Sequence, residues 1–269
     1  MPWNSSSSSN RPVCTIAFER TFERVSGFGI PSDFPFWRVH IVGYCNGLLC
    51  FTNYGNEKGT FFSPKVARNS DNFSCSLGFA YDSEINDYKV VKISTSFLPL
   101  DAVEVYTLSL DSWRMVKISW ATFPAIFENN GNYLPTPLVS GALHWMALDL
   151  KGENNGVIIM SFDVNSERFR KLALLDAFMD AYLYSSKSCL ALFMEKLASI
   201  TSRITEGLYF QYSIWVMREY GVVESWNKLF VIPLERIALC IAFTEYGSLL
   251  TCKTKNKKYK CAFGISRIF

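Results

Sequence analysis

His40 and His144 are the two histidines of the chain, and they stand with eight cysteines: Cys14, Cys45, Cys50, Cys75, Cys189, Cys240, Cys252 and Cys261. These side chains are the best equipped for metal or nucleophile chemistry, but their spacing does not gather them. No two cysteines form a Cys-x-x-Cys pair, and structural zinc sites are built on such close pairs. Several cysteines sit in apolar runs, as in Leu48-Leu49-Cys50-Phe51, where a free thiol packs as a small hydrophobe. His144, between Leu143 and Trp145, reads as a strand residue hydrogen-bonded in or near the core. Phosphate and acyl chemistry lack their loops as well. Neither Gly-x-x-x-x-Gly-Lys-Ser/Thr nor Gly-x-Ser-x-Gly occurs, so no backbone cradle for phosphate and no exposed nucleophile elbow is expected. The expectation is a chain without catalytic residues, cofactor or metal, and so not an enzyme.

Charge points the same way. The 27 Lys and Arg against 24 Asp and Glu leave a net charge of +3, whereas nucleic-acid binders concentrate basic residues in a patch or stripe. Only Lys253, Lys255, Lys257, Lys258 and Lys260 cluster, and they read as a solvated hairpin whose charges discourage edge pairing. Residues 1–12 include five consecutive serines (5–9) and no apolar core of a secretory signal. They are expected to be disordered, leaving 13–269 as one domain. Apolar runs such as 157–160 and 189–194 fall far short of the ~18 residues that span a bilayer. Neither nucleic acid nor membrane is expected as a partner, and the location expected is cytoplasm, nucleus or both.

What elements would these residues occupy? The composition is 49% hydrophobic, 16% aromatic and 19% charged, and so many rings favour a pleated surface over helix. A repeat is visible in the pairing of aromatics seven apart: Tyr81 with Tyr88, Tyr106 with Trp113, Phe162 with Phe169, and a stretched copy, Trp215 with Trp226. The residue after the second aromatic is polar in each copy (Lys89, Arg114, Arg170, Asn227). Apolar pairs then follow two apart: Val91 and Ile93, Val116 and Ile118, Leu172 and Leu174, Leu229 and Val231. Residues two apart share one strand face, and the Asp, Asn, Ser and Gly between the aromatics are turn formers.

A second unit places a small residue before an apolar run. It occurs at Gly47-Leu48-Leu49-Cys50-Phe51, Gly141-Ala142-Leu143-His144-Trp145, Ser188-Cys189-Leu190-Ala191-Leu192 and Gly247-Ser248-Leu249-Leu250. The intervals suggest a period of roughly 50 residues, the size of a propeller blade. The fold expected is all-β: a propeller-like, kelch-like array of short antiparallel sheets, with the blade count open and an incomplete ring allowed by the irregular spacing. The segments 28–36, 128–137 and 151–156 read as connections. Residues 172–183 fit either a helix or a strand followed by loop.

These motifs resemble the F-box-associated domain of plant F-box and F-box/kelch-repeat proteins, including the S-locus F-box group. The carrying segments are Val42-Gly43-Tyr44-Cys45-Asn46-Gly47-Leu48-Leu49-Cys50; Gly78-Phe79-Ala80-Tyr81-Asp82 with Asp87-Tyr88-Lys89-Val90-Val91; Glu104-Val105-Tyr106 with Asp111-Ser112-Trp113-Arg114; Gly141-Ala142-Leu143-His144-Trp145 with Ser161-Phe162-Asp163; and Ile214-Trp215-Val216-Met217 with Glu219-Tyr220-Gly221-Val222 and Glu224-Ser225-Trp226. The resemblance implies a substrate receptor of a Skp-cullin-F-box ubiquitin ligase, holding a protein substrate of unspecified identity. A Skp-type adaptor is implied only where an F-box stands upstream. No Leu-Pro-rich F-box segment precedes residue 40 and the chain stops at Phe269, so a truncated or F-box-less member is expected. The alternatives are a stand-alone interaction protein or a kelch-like oxidase.

Scaffold loops vary without disturbing a core, so binding residues are sought where the repeat is broken, at 97–101, 123–133 and 196–211. The candidates are Phe97, Phe127, Asn129, Asn130, Tyr133, Arg203 and Tyr209, with residue types suited to protein contacts. Tyr88, Trp113, Phe169 and Trp226, by contrast, read as packing between blades, and Gly47, Tyr81, Trp145, Phe162 and Trp215 as further structural residues of the repeat.

Overall fold

The computed structural model describes residues 13–17, 24–29, 39–53, 74–95, 102–116, 125–127, 134–149, 156–174, 187–204, 210–234, 238–243, 249–255 and 260–266. In chain order they form six antiparallel sheets. Strands β1 (Val13–Ala17) and β2 (Arg24–Gly29) pair, as do β3 (Val39–Cys45) and β4 (Leu48–Asn53). Strands β5 (Ser74–Asp82), β6 (Asp87–Thr95), β7 (Ala102–Thr107) and β8 (Ser112–Val116) make a four-stranded meander. In the next sheet β10 (Leu138–Val139), β11 (Ala142–Asp149), β12 (Val157–Asp163) and β13 (Arg168–Leu172) follow in order, while β9 (Ala125–Phe127) pairs with the far end of β11. Strands β14 (Lys187–Phe193), β15 (Lys196–Ile204), β16 (Phe210–Met217) and β17 (Trp226–Leu234) form the fifth sheet; β18 (Ala238–Phe243), β19 (Leu249–Lys255) and β20 (Lys260–Ser266) form the sixth.

Each apolar cluster lies between successive sheets. Val42 of β3 packs on Leu77 and Phe79 of β5. Val91, Ile93, Val103 and Val105 meet Leu143, Trp145, Met160 and Phe162 of the following sheet. Met146 and Ile159 meet Leu190, Leu197, Met217 and Trp226 of the sheet after that, and Phe193 meets Phe243 of β18 edge-on at 5.0 Å between centroids. A small meander cannot bury both of its faces alone, and stacking face to face supplies the missing partner. This is the propeller arrangement, with consecutive sheets as blades, and among the described residues it is incomplete. The second strand of a blade is covered on both sides, so β11 is buried from Ala142 to Ala147, whereas the last strands β8 and β13 share a half-exposed pattern.

Close approach sets one residue choice. A Cβ on Gly78 would stand 2.7 Å from Leu143 Cδ1 and 2.8 Å from Trp145 Cζ2, so only glycine lets the third and fourth sheets meet there.

Three of the four expected aromatic pairs face each other directly across hairpins: Tyr81 and Tyr88, Tyr106 and Trp113, Phe162 and Phe169. Their centroids lie 5.3, 5.4 and 4.9 Å apart. The turns are alike, 83–86, 108–111 and 164–167, and each ends on a residue of positive φ: Asn86 (54°), Asp111 (42°) and Glu167 (54°). The fourth pair is corrected. Trp226 faces Met217, and Trp215 faces Lys228, whose Nζ sits 4.6 Å over the indole. The longer connection 218–225, with its 3-10 turn Val223–Ser225, and a bulge after Ile214 shift the register. The first two copies share the β5–β8 sheet.

The small-residue unit is corrected too. Asn46-Gly47 and Ser140-Gly141 are two-residue hairpin turns with positive φ at both positions, the type I′ geometry that matches strand twist. The third such turn is Met194-Glu195, with φ of 46° and 61°. Ser188 lies inside β14 instead, because the equivalent turn carries no glycine to mark it. Gly247 falls outside the described residues, as do residues 1–12.

Candidate recognition surface

Antiparallel meanders sort their connections by end. In each sheet, the turn between first and second strands and the turn between third and fourth strands lie at one end. Turns 46–47, 83–86, 108–111, 140–141, 164–167, 194–195 and 218–225 therefore share this turn end. The opposite end carries the other ends of the paired strands, at Thr95 and Ala102, Asp149 and Val157, and Ile204 and Phe210.

The turn end is locked by polar side chains that cross between sheets. Tyr88 lies at the centre of the first lock. Its hydroxyl donates to Asn46 O (3.3 Å), its carbonyl accepts from Leu108 N (3.0 Å), and its ring stacks on Phe79 at 5.7 Å. Beside it, buried Asp87 accepts from Tyr88 N (2.7 Å), from Ser109 N (3.2 Å) and from the Ser109 hydroxyl. Those bonds, the Ser109 hydroxyl foremost, hold its carboxyl below the ordinary aspartate range.

The second lock is ionic. Lys89 of β6 is buried, pairs with Asp82 and with Glu167 (2.7 Å), and donates to Val164 O (2.9 Å) in the turn of the next sheet. Arg114 pairs with Glu167 from the outer strand, and Asn165 Nδ2 donates to Ser83 Oγ (3.3 Å). Burial pushes the Asp82 carboxyl upward, but the Lys89 contact and the amides of Glu84 (2.9 Å) and Ile85 (3.3 Å) outweigh it, and the group ends below its usual range. Glu167 is lowered in the same way, with burial opposed by Arg114 and Lys89.

The third lock repeats the geometry one sheet on. His144 is the third residue of β11, as Lys89 is of β6, and it too is buried and reaches the next sheet. Its Nε2 lies 2.8 Å from the Tyr220 hydroxyl, with the rings edge-on at 5.5 Å, and its Nδ1 lies 3.4 Å from Pro137 O. Burial lowers its pKa to about 4, so the ring is neutral at pH 7, and Nδ1–H facing a carbonyl leaves Nε2 to accept the tyrosine proton. The core position read for His144 from the sequence is where it lies. The role of Lys89 was not legible; its one signal is a lysine flanked by Tyr88 and by Val90-Val91.

The residues singled out as binding candidates are placed as follows. Phe127 closes β9 opposite Ala147, and Arg203 lies in β15 opposite Gln211. Phe97, Asn129, Asn130, Tyr133 and Tyr209 fall outside the described residues. Two expected loops are corrected, since 123–133 contains β9 and 196–204 is the strand β15, paired on both sides. Ser199 and Thr201 are buried within β15, so its two covered faces gave no apolar run. Of the residues read as structural, Trp145, Phe162 and Trp226 are buried, and Trp145 Nε1 donates to Leu77 O (3.2 Å) of the neighbouring sheet, while Trp113 faces Tyr106 within its own sheet.

Among the described residues, no three His, Cys, Asp or Glu converge as a metal-binding group, and no helix is long and apolar enough to cross a membrane. Cys45 and Cys50 are free thiols, and burial pushes Cys50 up to about 12, far from the thiolate a nucleophile needs.

Comparison with known proteins agrees with this architecture. A family model described as the F-box associated beta propeller domain matches residues 16–266. An F-box/kelch-repeat protein of Arabidopsis thaliana is 24% identical over 210 residues, covering 72% of this chain and 52% of that protein. An F-box protein of the same plant is 25% identical over 225 residues (71% and 50%), and an F-box/LRR-repeat/kelch-repeat protein is 25% identical over 210 (73% and 55%). The chain spans about half the length of these curated relatives. No solved structure matches it. With Gly47 in a hairpin turn, Tyr88 bonded across to Asn46 and Trp145 and Trp226 packed between stacked sheets, the chain belongs to the F-box associated β-propeller domain family.

Proposed function

We propose that this chain is the substrate-holding part of a Skp-cullin-F-box type ubiquitin ligase, working in the cytoplasm or nucleus and carrying out no chemistry of its own. The observation that carries this reading is a rigid stack of sheets, cross-locked through Lys89 and His144, in a chain whose relatives bear F-box names. A frame of that kind displays turns and loops without deforming. Holding a substrate raises its effective concentration near a ubiquitin-conjugating enzyme, and tethering of this sort accelerates transfer without a catalytic group on the holder. The adaptor is engaged wherever the protein carries an F-box, and Phe97, Phe127, Asn129, Asn130, Tyr133, Arg203 and Tyr209 remain proposed substrate contacts.

The test is affinity purification of the tagged protein from plant cells, with immunoblots for the Skp-type adaptor and cullin and a ubiquitin-transfer assay on co-purified proteins. Recovery of adaptor, cullin and a modified protein is expected. A co-purified partner with neither adaptor nor cullin would replace the ligase reading with that of a stand-alone interaction protein.

A further inference from the structure

Turn residues are ordinarily polar, because they face water and build no core. At the turn end of this chain several large apolar residues stand exposed among them. Tyr44 is 69% exposed, Leu110 67% and Ile85 56%, and Leu48 and Leu108 are exposed beside them. Leu192, Met194 and Tyr220 are exposed at the same end of the β14–β17 sheet. Of the exposed large hydrophobic residues among those described, only Met115 and Val231 lie elsewhere, on outer strands. The row is contiguous at Tyr88, which bonds to both Asn46 and Leu108, while Asp87 ties the turn 108–111 to the start of β6. The turns are also held still. Asp82 accepts from two amides of 83–86, and Asp111 accepts from the Tyr106 hydroxyl at 2.7 Å.

The charge around the apolar turns of the β3–β4 and β5–β8 sheets is one-sided. Residues 44–48, 83–86 and 108–111 contain no Lys, Arg or His, and Glu84 and Asp111 are exposed there. Beneath them lie Asp82, Asp87 and Glu167, with Lys89 and Arg114 as the cations in contact. Carboxylates thus dominate one apolar end of a chain whose net charge is +3. We propose that the turn end of the β3–β4 and β5–β8 sheets, centred on Tyr88, docks a cationic amphipathic segment of the captured protein, one that presents apolar side chains alongside Lys or Arg. The proposal rests on the receptor reading above. Fixed carboxylates repel nucleic acid and anionic lipid, while an apolar cluster rimmed by charge is the usual anatomy of a protein-docking patch. A surface pinned in its bound shape loses little entropy on docking.

The test uses fluorescence anisotropy with three synthetic peptides: one alternating Leu/Phe with Lys, one with every Lys replaced by Glu, and one with every Leu/Phe replaced by Ser. The chain is expected to bind the first alone, and more weakly as salt rises. The double variant I85S/L110S and the double variant E84Q/D111N are each expected to weaken binding by about tenfold or more, with M115S, on an outer strand, left at parental affinity. Undiminished binding by I85S/L110S, equal binding of the acidic peptide, or no binding of the basic one overturns the proposal. Self-association of the parent chain that I85S/L110S abolishes would assign the face to a second copy and overturn it too. If the I85S/L110S protein still captures the parental partners from cells, the surface assignment fails and the receptor reading stands. If the parent captures nothing, the receptor reading itself fails.

Discussion

The Lys89 ammonium of one sheet donates to Val164 O in the turn of the next at 2.9 Å, with both groups buried. The same ammonium is paired with Asp82 and Glu167. One cation therefore neutralises carboxylates from two sheets and also satisfies a backbone carbonyl that stacking removes from water, which is the condition under which a buried ion pair is tolerated.

Replacing it with a methionine of similar length tests that account. Lys89→Met leaves Asp82 buried without its cation, and loss of one member of a buried pair costs about 3–5 kcal/mol. Urea denaturation is expected to show a drop of that order, and Lys89→Met combined with Asp82→Asn should recover part of it. An unchanged midpoint in the single variant would mean that Asp82 and Glu167 find other partners. Because Asp82, Asp87 and Glu167 are held below their ordinary values, their contribution is present above pH ~4.5 and is lost as acid protonates them in the folded state.

His144 gives a second acid-sensitive step with a different window. Its folded pKa is lowered from 6.5 to about 4 by burial. Between these values the unfolded chain binds a proton that the folded chain refuses, so stability rises with pH across that interval. The folded protein is expected to lose up to about 3 kcal/mol from this group between pH 7 and pH 4. His144→Gln should flatten the pH dependence of the melting temperature between pH 6.5 and pH 4.5. The same slope in variant and parent would show that His144 does not titrate as argued.

Gly78→Ala addresses the packing between sheets. The added methyl would meet Leu143 and Trp145 below 3 Å, and Trp145 is buried with its Nε1 anchored on Leu77 O. Overpacking a core in this way costs about 1–3 kcal/mol. A smaller ring should relieve it, so Gly78→Ala combined with Trp145→Phe is expected to be more stable than the sum of the single changes predicts. Strict additivity in thermal denaturation would place the strain elsewhere.

Why did the sequence disclose the stacked sheets and hide their locks? Aromatic pairs such as Phe162 and Phe169 announce a hairpin because the turn length fixes which residues face each other. Type I′ turns announce themselves when they carry glycine, as at Asn46-Gly47. Lys89 and His144, however, act across sheet boundaries, and no local pattern encodes which sheet lies next to which. The register of Trp215 was obscured by a bulge, and β15 by the buried Ser199 and Thr201, whose polarity mimics a solvated segment.

The turn at Met194-Glu195 supplies the last prediction, because it follows from geometry against residue type. Both residues hold positive φ, 46° and 61°, where a Cβ crowds the backbone at roughly 1–2 kcal/mol per residue. The equivalent turn at Asn46-Gly47 uses the two residue types that tolerate this conformation. Met194 and Glu195 are exposed, so exchanging them sacrifices no core contact. Met194→Asn with Glu195→Gly is expected to raise stability by about 1–2 kcal/mol, somewhat offset by the greater freedom of glycine in the unfolded chain. Equilibrium denaturation should show the midpoint moving to higher urea with an unchanged slope. A midpoint that falls would mean the turn does not adopt the left-handed pair, and the equivalence of this hairpin with those at Gly47 and Gly141 would fall with it.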